Sequence, residues 1–328
     1  MRKPLALLVL VLALVSCGSH DDTPAFNHAQ SSTSSQISQP KVVIFAIDGP
    51  RYTEFFGDPS HAWIPHIWND LRPQGTILTN LRNNGWTKTV PGHTTIVTGT
   101  WQYLANDGSE RPDEPTIFEY YRRWFSAPAS ETYVISGKSK LNVCAYGTHP
   151  DYGSTYGATA SVGHSGDLAV YDELMSVLQS QKPRLVLACF PDVDLMGHSG
   201  VWDNYVSAIT GADSLAWKTW NYLQSDPYYA GQTYMFIIND HGRHSDDRGG
   251  FTNHGDDCLG CSRLIFMALG PDIRVGHTSN GLFTQKDVCR TVGQIFGFPT
   301  PYAEGTVILD VFQFAPTGIK EVEDSISR

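Results

Sequence analysis

Carboxylates and imidazoles recur at a few points of this chain: Asp48; Asp194 with His198 four residues on; the dipeptide Asp240-His241; and His254, across a loop rich in Gly and Asp. Carboxylate oxygen plus imidazole nitrogen is a ligand set that zinc accepts. Thr89, in Lys88-Thr89-Val90-Pro91, adds a hydroxyl just ahead of a helix whose first turn Pro91 suits. Unpaired amides at such a helix start can hold an anionic oxygen. Each feature has an ordinary reading when taken alone. Asp48-Gly49 has the composition of a turn, Thr before Pro is a helix cap, and the Asp and His residues of a polar loop can simply be solvated. Together they are the candidate ligands of one metal site, with Thr89 as a hydroxyl among them.

For these residues to meet, one sheet edge must collect them. Lys41 to Ile47 and Arg184 to Phe190 are nearly continuous apolar runs, the pattern of strands buried on both faces. Thr132 to Ser136, Tyr234 to Ile238, Leu264 to Leu269 and Thr76 to Leu81 are further strand candidates. Four of the strands run out into Asp48, Lys138, Asp194 and Asp240. Helical spacing is found in Trp63 to Leu71, Thr116 to Phe125, Asp167 to Leu178, Asp203 to Gln224 with an expected interruption near Gly211, and Thr284 to Phe296, where Asp287 follows the cap position Thr284 by three residues. That alternation predicts an α/β fold with a doubly wound, mostly parallel central sheet flanked by helices and its chemistry along one edge.

Read in order, Asp48-Gly49, Lys88-Thr89-Val90-Pro91, Asp194-x-x-Gly197-His198, Asp240-His241-Gly242 and His254-Gly255 resemble the alkaline phosphatase superfamily. The likeness is to its branch of nucleotide pyrophosphatase/phosphodiesterases and single-domain phosphatases, and it runs from about Val42 to His254. The resemblance implies two zinc ions, one held by Asp194, His198 and His254, the other by Asp48, Asp240, His241 and the oxygen of Thr89. It implies that Thr89 is the nucleophile and passes through a phosphothreonine intermediate. Asn106 stands where relatives place an asparagine that donates to a phosphoryl oxygen, although Ala105-Asn106-Asp107-Gly108 is also a good turn sequence. Lys138 and Lys140 resemble the basic pair that monoester phosphatases and phosphonoacetate hydrolases of the superfamily aim at substrate. Of the other histidines, His93 and His149 are the candidates to support the ligands from behind.

Two departures narrow the function. Diesterase relatives carry a long insertion between Asp-His and the last His, whereas here a short loop joins His241 to His254, so a large substrate cap is not expected. Sulfatases of the superfamily use Cys or Ser followed by x-Pro-x-Arg; this chain has Thr89-Val90-Pro91-Gly92-His93. The expected activity is therefore phosphate monoester hydrolysis, with phosphodiesterase, nucleotide pyrophosphatase or phosphonoacetate-type hydrolysis as alternatives. A metal- or ligand-binding lipoprotein is the alternative outside enzymes.

The chain has 328 residues, 41% of them hydrophobic, a globular composition. A formal net charge of -10 argues against binding a nucleic-acid backbone, leaving a small phosphorylated substrate as the expected partner. Arg2 and Lys3 precede an apolar run, Leu5 to Val15, too short to span a membrane and remain there. It ends in Leu14-Val15-Ser16-Cys17, which resembles the bacterial lipobox; an ordinary secretory signal with a chance cysteine is the alternative. The lipobox implies residues 1–16 as a signal peptide, a lipid on Cys17, and a bacterial cell envelope location. Residues 17–40, rich in Ser, Thr and Gln, read as a flexible tether, and 41–328 as one catalytic domain. An exported protein permits disulfides, but Cys144, Cys189, Cys258, Cys261 and Cys289 are an odd set, so at least one stays unpaired in a monomer. Cys258-Leu-Gly-Cys261 fits a local bridge or part of a thiolate metal site, which would normally want a second such pair.

Two other catalytic motifs fail on their glycines. Gly137-Lys138-Ser139 lacks the upstream glycine of a P-loop, because Thr132 stands there. Gly163-His164-Ser165-Gly166 and Gly197-His198-Ser199-Gly200 resemble a serine nucleophile elbow, but Asp167 and Val201 occupy the last glycine position.

Overall fold

A computed structural model describes residues 40–314. The expected signal segment, Cys17, the tether up to residue 39, and the last fourteen residues of the expected domain lie outside the described residues. The elements in order are β1 (Lys41–Ile47), β2 (Gly75–Arg82), α1 (Thr89–Thr98), α2 (Ile117–Phe125), β3 (Thr132–Ser136), β4 (Thr159–Val162), α3 (Gly166–Ser180), β5 (Leu185–Phe190), α4 (Asp192–His198), α5 (Trp202–Ser225), β6 (Thr233–Ile238), α6 (Leu259–Ser262), β7 (Arg263–Leu269), β8 (His277–Ser279), β9 (Phe283–Thr284) and α7 (Lys286–Phe296).

Within the described residues the strands form one sheet in the order β4-β3-β5-β1-β6-β7-β2-β8, with β9 beside β2. Every pairing is parallel except those of β7, which runs against both β6 and β2. The sheet is buried on both faces, which explains why its central strands show no polar alternation. Val42, Ile44 and Ala46 of β1 enter one core with α1, α2 and α7, while Val43, Phe45 and Ile47 enter the other with α3 and α5. Burying each such large side chain fully contributes about 1.5–3 kcal/mol, so β1 is anchored from two sides. The expected doubly wound α/β architecture is the one observed.

Local differences have local causes. Helix α5 runs through Gly211 without interruption, because a single glycine lowers helix propensity without removing a backbone hydrogen bond. The segment expected as a helix from Trp63 to Leu71 is helical from Pro65, but it winds as a π-helix at Ile67–Leu71 and tightens to a 3-10 turn at Arg72–Gln74. Its expected apolar face is nonetheless buried through Ile64, Ile67 and Leu71. At α7 the helix starts at Lys286, and Asp287 accepts from the Thr284 amide at 2.7 Å, the acidic half of the expected cap.

Candidate functional site

Neighbouring strands β3, β5, β1 and β6 all end at one edge, and their following residues build a cleft there. Asp48 follows β1, Lys138 follows β3, Asp194 lies in α4 just after β5, and Asp240-His241 follow β6. Asp48, Asp240 and His241 are fully buried. The turn after Asp48 needs a glycine: Gly49 has φ +73°, and a Cβ there would lie 2.9 Å from Arg243 Nη1 and 3.0 Å from Asp194 Oδ1. Its amide donates to Asp240 Oδ1 at 3.1 Å, linking β1 to β6.

The backbone at the end of β6 is fixed by buried amides. Asn83 Nδ2 and Gln285 Nε2 donate to the Asp240 carbonyl at 3.0 and 2.6 Å. The Asn239 side chain donates to the carbonyls of Pro50 and His241 and accepts from the Ile265 amide.

Three imidazoles share one arrangement. His241 Nδ1 lies 2.9 Å from the Gly242 carbonyl, His254 Nδ1 2.9 Å from the Thr87 carbonyl, and His198 Nδ1 3.0 Å from the Thr252 carbonyl. A carbonyl only accepts, so each Nδ1 carries the proton and, in the neutral ring, each Nε2 is left with a lone pair. Those Nε2 atoms face carboxylates. His241 Nε2 is 3.2 Å from Asp240 Oδ2 and 3.5 Å from Asp48 Oδ1. His254 Nε2 and His198 Nε2 are 3.5 and 3.3 Å from Asp194 Oδ1. Burial drives the His241 pKa down to about 3 despite Asp240, so that ring is neutral at pH 7. Burial likewise lowers His254, against the pull of Asp194.

A lone pair facing an anionic oxygen in a dry site is unfavourable unless a cation lies between them. Asp48 Oδ1, Asp240 Oδ2 and His241 Nε2 are moreover buried without hydrogen-bond partners. These residues fit a bound metal. His241 is placed within ligand reach of two groups, Asp48 with Asp240 and Asp194 with His254, while the half-exposed His198 joins through Asp194 at the rim.

Cations of the chain itself fill part of the cleft. Lys138 Nζ lies 2.7 Å from Asp48 Oδ2 and 2.6 Å from Asp194 Oδ2. Burial opposes its charge, but the two carboxylates outweigh burial and hold its pKa above the usual lysine range. Burial and the charge of Lys138 lower the pKa of Lys140, against attraction from Asp48, Asp240 and Asp194. Lys138 is therefore in the cleft, while Lys140, two residues on, makes no ion pair with the cleft carboxylates. Arg243, fully buried, places Nη1 2.6 Å from Asp194 Oδ1 and donates to the carbonyls of Phe251 and Thr252. Burial disfavours the charge of Asp194, yet Lys138 and Arg243, joined by His198 and His241 once those rings are protonated, hold its carboxyl well below the usual range.

Thr89 is buried at the start of α1, but it is the first helical residue and Lys88 holds the cap position, one residue earlier than expected. The first turn of α1 is seated against β6, since a Cβ on Gly92 would stand 2.5 Å from the Asp240 carbonyl oxygen. Asn106 Oδ1 accepts from the Val90 amide at 2.9 Å, which pins it beside Thr89 and leaves its NH₂ end for another partner. His93 is also brought in, with Nδ1 2.9 Å from the Thr89 carbonyl and 3.2 Å from Asp240 Oδ2. His149 is not: its ring packs against Tyr152 and Tyr302, away from the ligands, because the loop carrying it folds over α2 and α7 rather than into the cleft. Sequence reasoning missed Arg243, Asn83, Gln285 and Thr87. Nothing local marks them, since their partners are remote in the chain.

No protein-family model matches the chain, and no curated protein matches it by sequence. Solved structures match it in fold. A protein in the alkaline phosphatase superfamily from Vibrio parahaemolyticus is 14% identical with a TM-score of 0.61, over 82% of this chain and 69% of that one. A 2-O GAG sulfatase is 14% identical with a TM-score of 0.59, over 82% and 73%. The phosphonate monoester hydrolase of Agrobacterium radiobacter is 12% identical with a TM-score of 0.59, over 87% and 78%. At these identities the likeness is one of fold: the chain shares the fold of these proteins, the first of which is described as a member of the alkaline phosphatase superfamily. Among the described residues no helix is long and apolar enough to cross a membrane.

Proposed function

We propose that this chain is a metal-dependent hydrolase of phosphate esters, acting on monoesters in preference to diesters through a phosphothreonine at Thr89. The observation that supports it most is the shared arrangement of His198, His241 and His254, each held by a backbone carbonyl through Nδ1 with Nε2 turned to Asp48, Asp194 or Asp240. Metal-binding histidines are oriented in this way. Asp194, His198 and His254 would hold one ion, and Asp48, Asp240 and His241, with the Thr89 oxygen, a second. Zinc suits this mixed set, and a pair of such ions supplies charge stabilisation to the attacking and leaving oxygens of an in-line displacement.

The chain's own residues then divide the work. Thr89 Oγ gives up its proton to water and forms a bond to phosphorus as the ester oxygen departs with its electron pair and takes a proton from water. Water next attacks the phosphothreonine, phosphate leaves, and the Thr89 hydroxyl is restored. The NH₂ of Asn106 and the ammonium groups of Lys138 and Lys140 bind the phosphoryl oxygens, which in a monoester carry nearly two negative charges. Thr at position 89, in place of Cys or Ser, speaks against sulfate transfer. Export and a lipid on Cys17 belong to the same proposal; Cys17→Ser should abolish lipid labelling and release the protein from membranes.

The test is one zinc-loaded preparation assayed on a phosphate monoester, a diester, a phosphonate and a sulfate ester, with acid-quenched protein mapped by mass spectrometry. Monoester hydrolysis with phosphate on Thr89, absent in Thr89→Ala while its metal content is kept, is the expected result. Preference for diesters throughout would replace monoesterase by phosphodiesterase. Near wild-type turnover in Thr89→Ala would remove Thr89 from the mechanism. Fewer than one zinc per chain with no turnover on any ester would favour a binding protein.

A further inference from the structure

The loop that carries His254 folds back on itself and gathers a second set of metal-binding side chains at its base. Gly242 and Gly260 stand face to face: the Gly242 amide donates to the Cys261 carbonyl at 2.8 Å, and a Cβ on Gly242 would lie 2.0 Å from the Gly260 carbonyl oxygen. On the other strand of this contact a Cβ on Gly260 would lie 2.4 Å from the Arg243 carbonyl oxygen. Only a pair without side chains allows this approach. It delivers His244 to Cys261. Asp256 enters from the loop, with Oδ2 3.6 Å from His244 Nε2 and Oδ1 accepting from the Cys258 amide at 3.0 Å. Ligand atoms of His244, Asp256 and Cys261 all lie within 4.8 Å of one another. Cys258 stands at the cap of the short helix Leu259–Ser262 that carries Cys261, with its amide on the Asp256 carboxylate.

We propose that Cys258, Cys261, His244 and Asp256 form a structural metal site for a thiophilic divalent cation of the zinc type, separate from the catalytic cleft. Two sulfurs, an imidazole and a carboxylate make four ligands of the kinds such an ion takes in closed, tetrahedral sites. Sequence spacing alone asked for a second Cys-x-x-Cys pair; the fold supplies His244 and Asp256 in its place. Both cysteines are free thiols here, Cys261 buried and Cys258 partly so. The site would clasp the two ends of an irregular loop of about fifteen residues, whose closure otherwise costs chain entropy. It would also steady His254, because Thr87 donates its hydroxyl to the Asp256 carbonyl at 2.7 Å and accepts from His254 through its own carbonyl.

Cobalt(II) substitution of the full chain reads this site without any assay of activity. A thiolate-to-cobalt charge-transfer band is expected, and it should vanish in the Cys258→Ser, Cys261→Ser double variant together with one equivalent of bound metal. The cleft contains none of the substituted residues, so loss of the band with the remaining metal retained isolates the new site. Should the double variant fail to fold, thiol labelling of the wild type decides: metal should protect Cys258 and Cys261 from alkylation, chelation should expose them, and trypsin should then cut at Arg248. A Cys258–Cys261 disulfide in metal-replete protein, or alkylation at equal rates with and without metal, overturns the proposal.

Discussion

The two halves of the cleft are held by different means. Asp48, Asp240 and His241 stand directly at the ends of β1 and β6, fully buried and placed by the sheet itself. Asp194, His198 and His254 come from a seven-residue helix and an irregular loop, and the His198 side chain is 40% exposed. Where the sheet positions a group, strand register sets its place, and the side-chain amides of Asn83, Asn239 and Gln285 fix the backbone just past β6. Where a loop does, side-chain clamps must replace register: Arg243 ties Asp194 to the carbonyls of Phe251 and Thr252, Thr87 holds His254, and Arg51 joins Glu54 to Asp246 and the His244 carbonyl. The sheet half should thus be intolerant of substitution, and the loop half more forgiving.

Substituting Asp240 attacks the sheet half. Asp240→Asn should lose the metal of that half and lower turnover by roughly 10⁴-fold, with no recovery on adding zinc, since no side chain nearby can take its place. Metal analysis alongside kinetics checks this, and full recovery at high zinc would erase the contrast between the halves. Lys138 spans both halves, with Lys140 two residues on. The double variant Lys138→Ala, Lys140→Ala should cost monoester turnover about 10²-fold and diester turnover much less; equal losses on both substrates would contradict the monoesterase assignment.

His198 tests the loop half. His198→Ala should weaken metal affinity by about 10–100-fold and be rescued by added zinc, a titration that sharpens the comparison if rescue fails for Asp240→Asn. A last effect, on stability rather than on turnover, lies beneath the same half. Asp167 and Asp192 exchange backbone-to-carboxylate hydrogen bonds of 3.0 and 2.9 Å, joining the starts of α3 and α4. Burial, reinforced by the Asp192 charge, pushes Asp167 up to about 7. Between pH 4 and 7 the folded chain then keeps a proton that the unfolded chain has released, so this contribution is full below about pH 4 and is lost as pH rises to about 7. Asp167→Asn keeps the acceptor and has no proton to lose, and should gain stability over the parent at pH 8 by up to about 4 kcal/mol. Urea unfolding at pH 5 and pH 8 measures it; an equal difference at both would mean that Asp167 ionises normally.

The same division decides what the sequence could reveal. Asp48 and Asp240 were legible because each follows an apolar run that can only be a buried strand, and the sheet edge follows from that alternation. Thr89 was legible through Pro91, though displaced by one residue relative to the cap. The clamps were not. Arg243 meets Asp194 across 49 positions, and Asn83 and Gln285, just past β2 and just before α7, reach the Asp240 carbonyl across 157 and 45 positions. His149 was misjudged for a related reason: composition names the group but not the side of the sheet on which its loop folds. The base of the His254 loop was half legible, since Cys258 and Cys261 advertise themselves while His244 and Asp256 acquire meaning only when Gly242 meets Gly260.

Lys138 has a consequence for the order of events in the protein's life. Its ammonium sits between Asp48 and Asp194, so the strongest charge repulsion in the cleft is cancelled by a cation that is part of the polypeptide. Folding therefore does not have to wait for ions from solution. Lys138 holds the Oδ2 atoms, whereas the Oδ1 atoms face the imidazoles, so on the proposed function an ion can be taken up at the Oδ1 side with the lysine still in place. The lysine charge then stays at the cleft, where the anionic substrate of the proposed function would meet it.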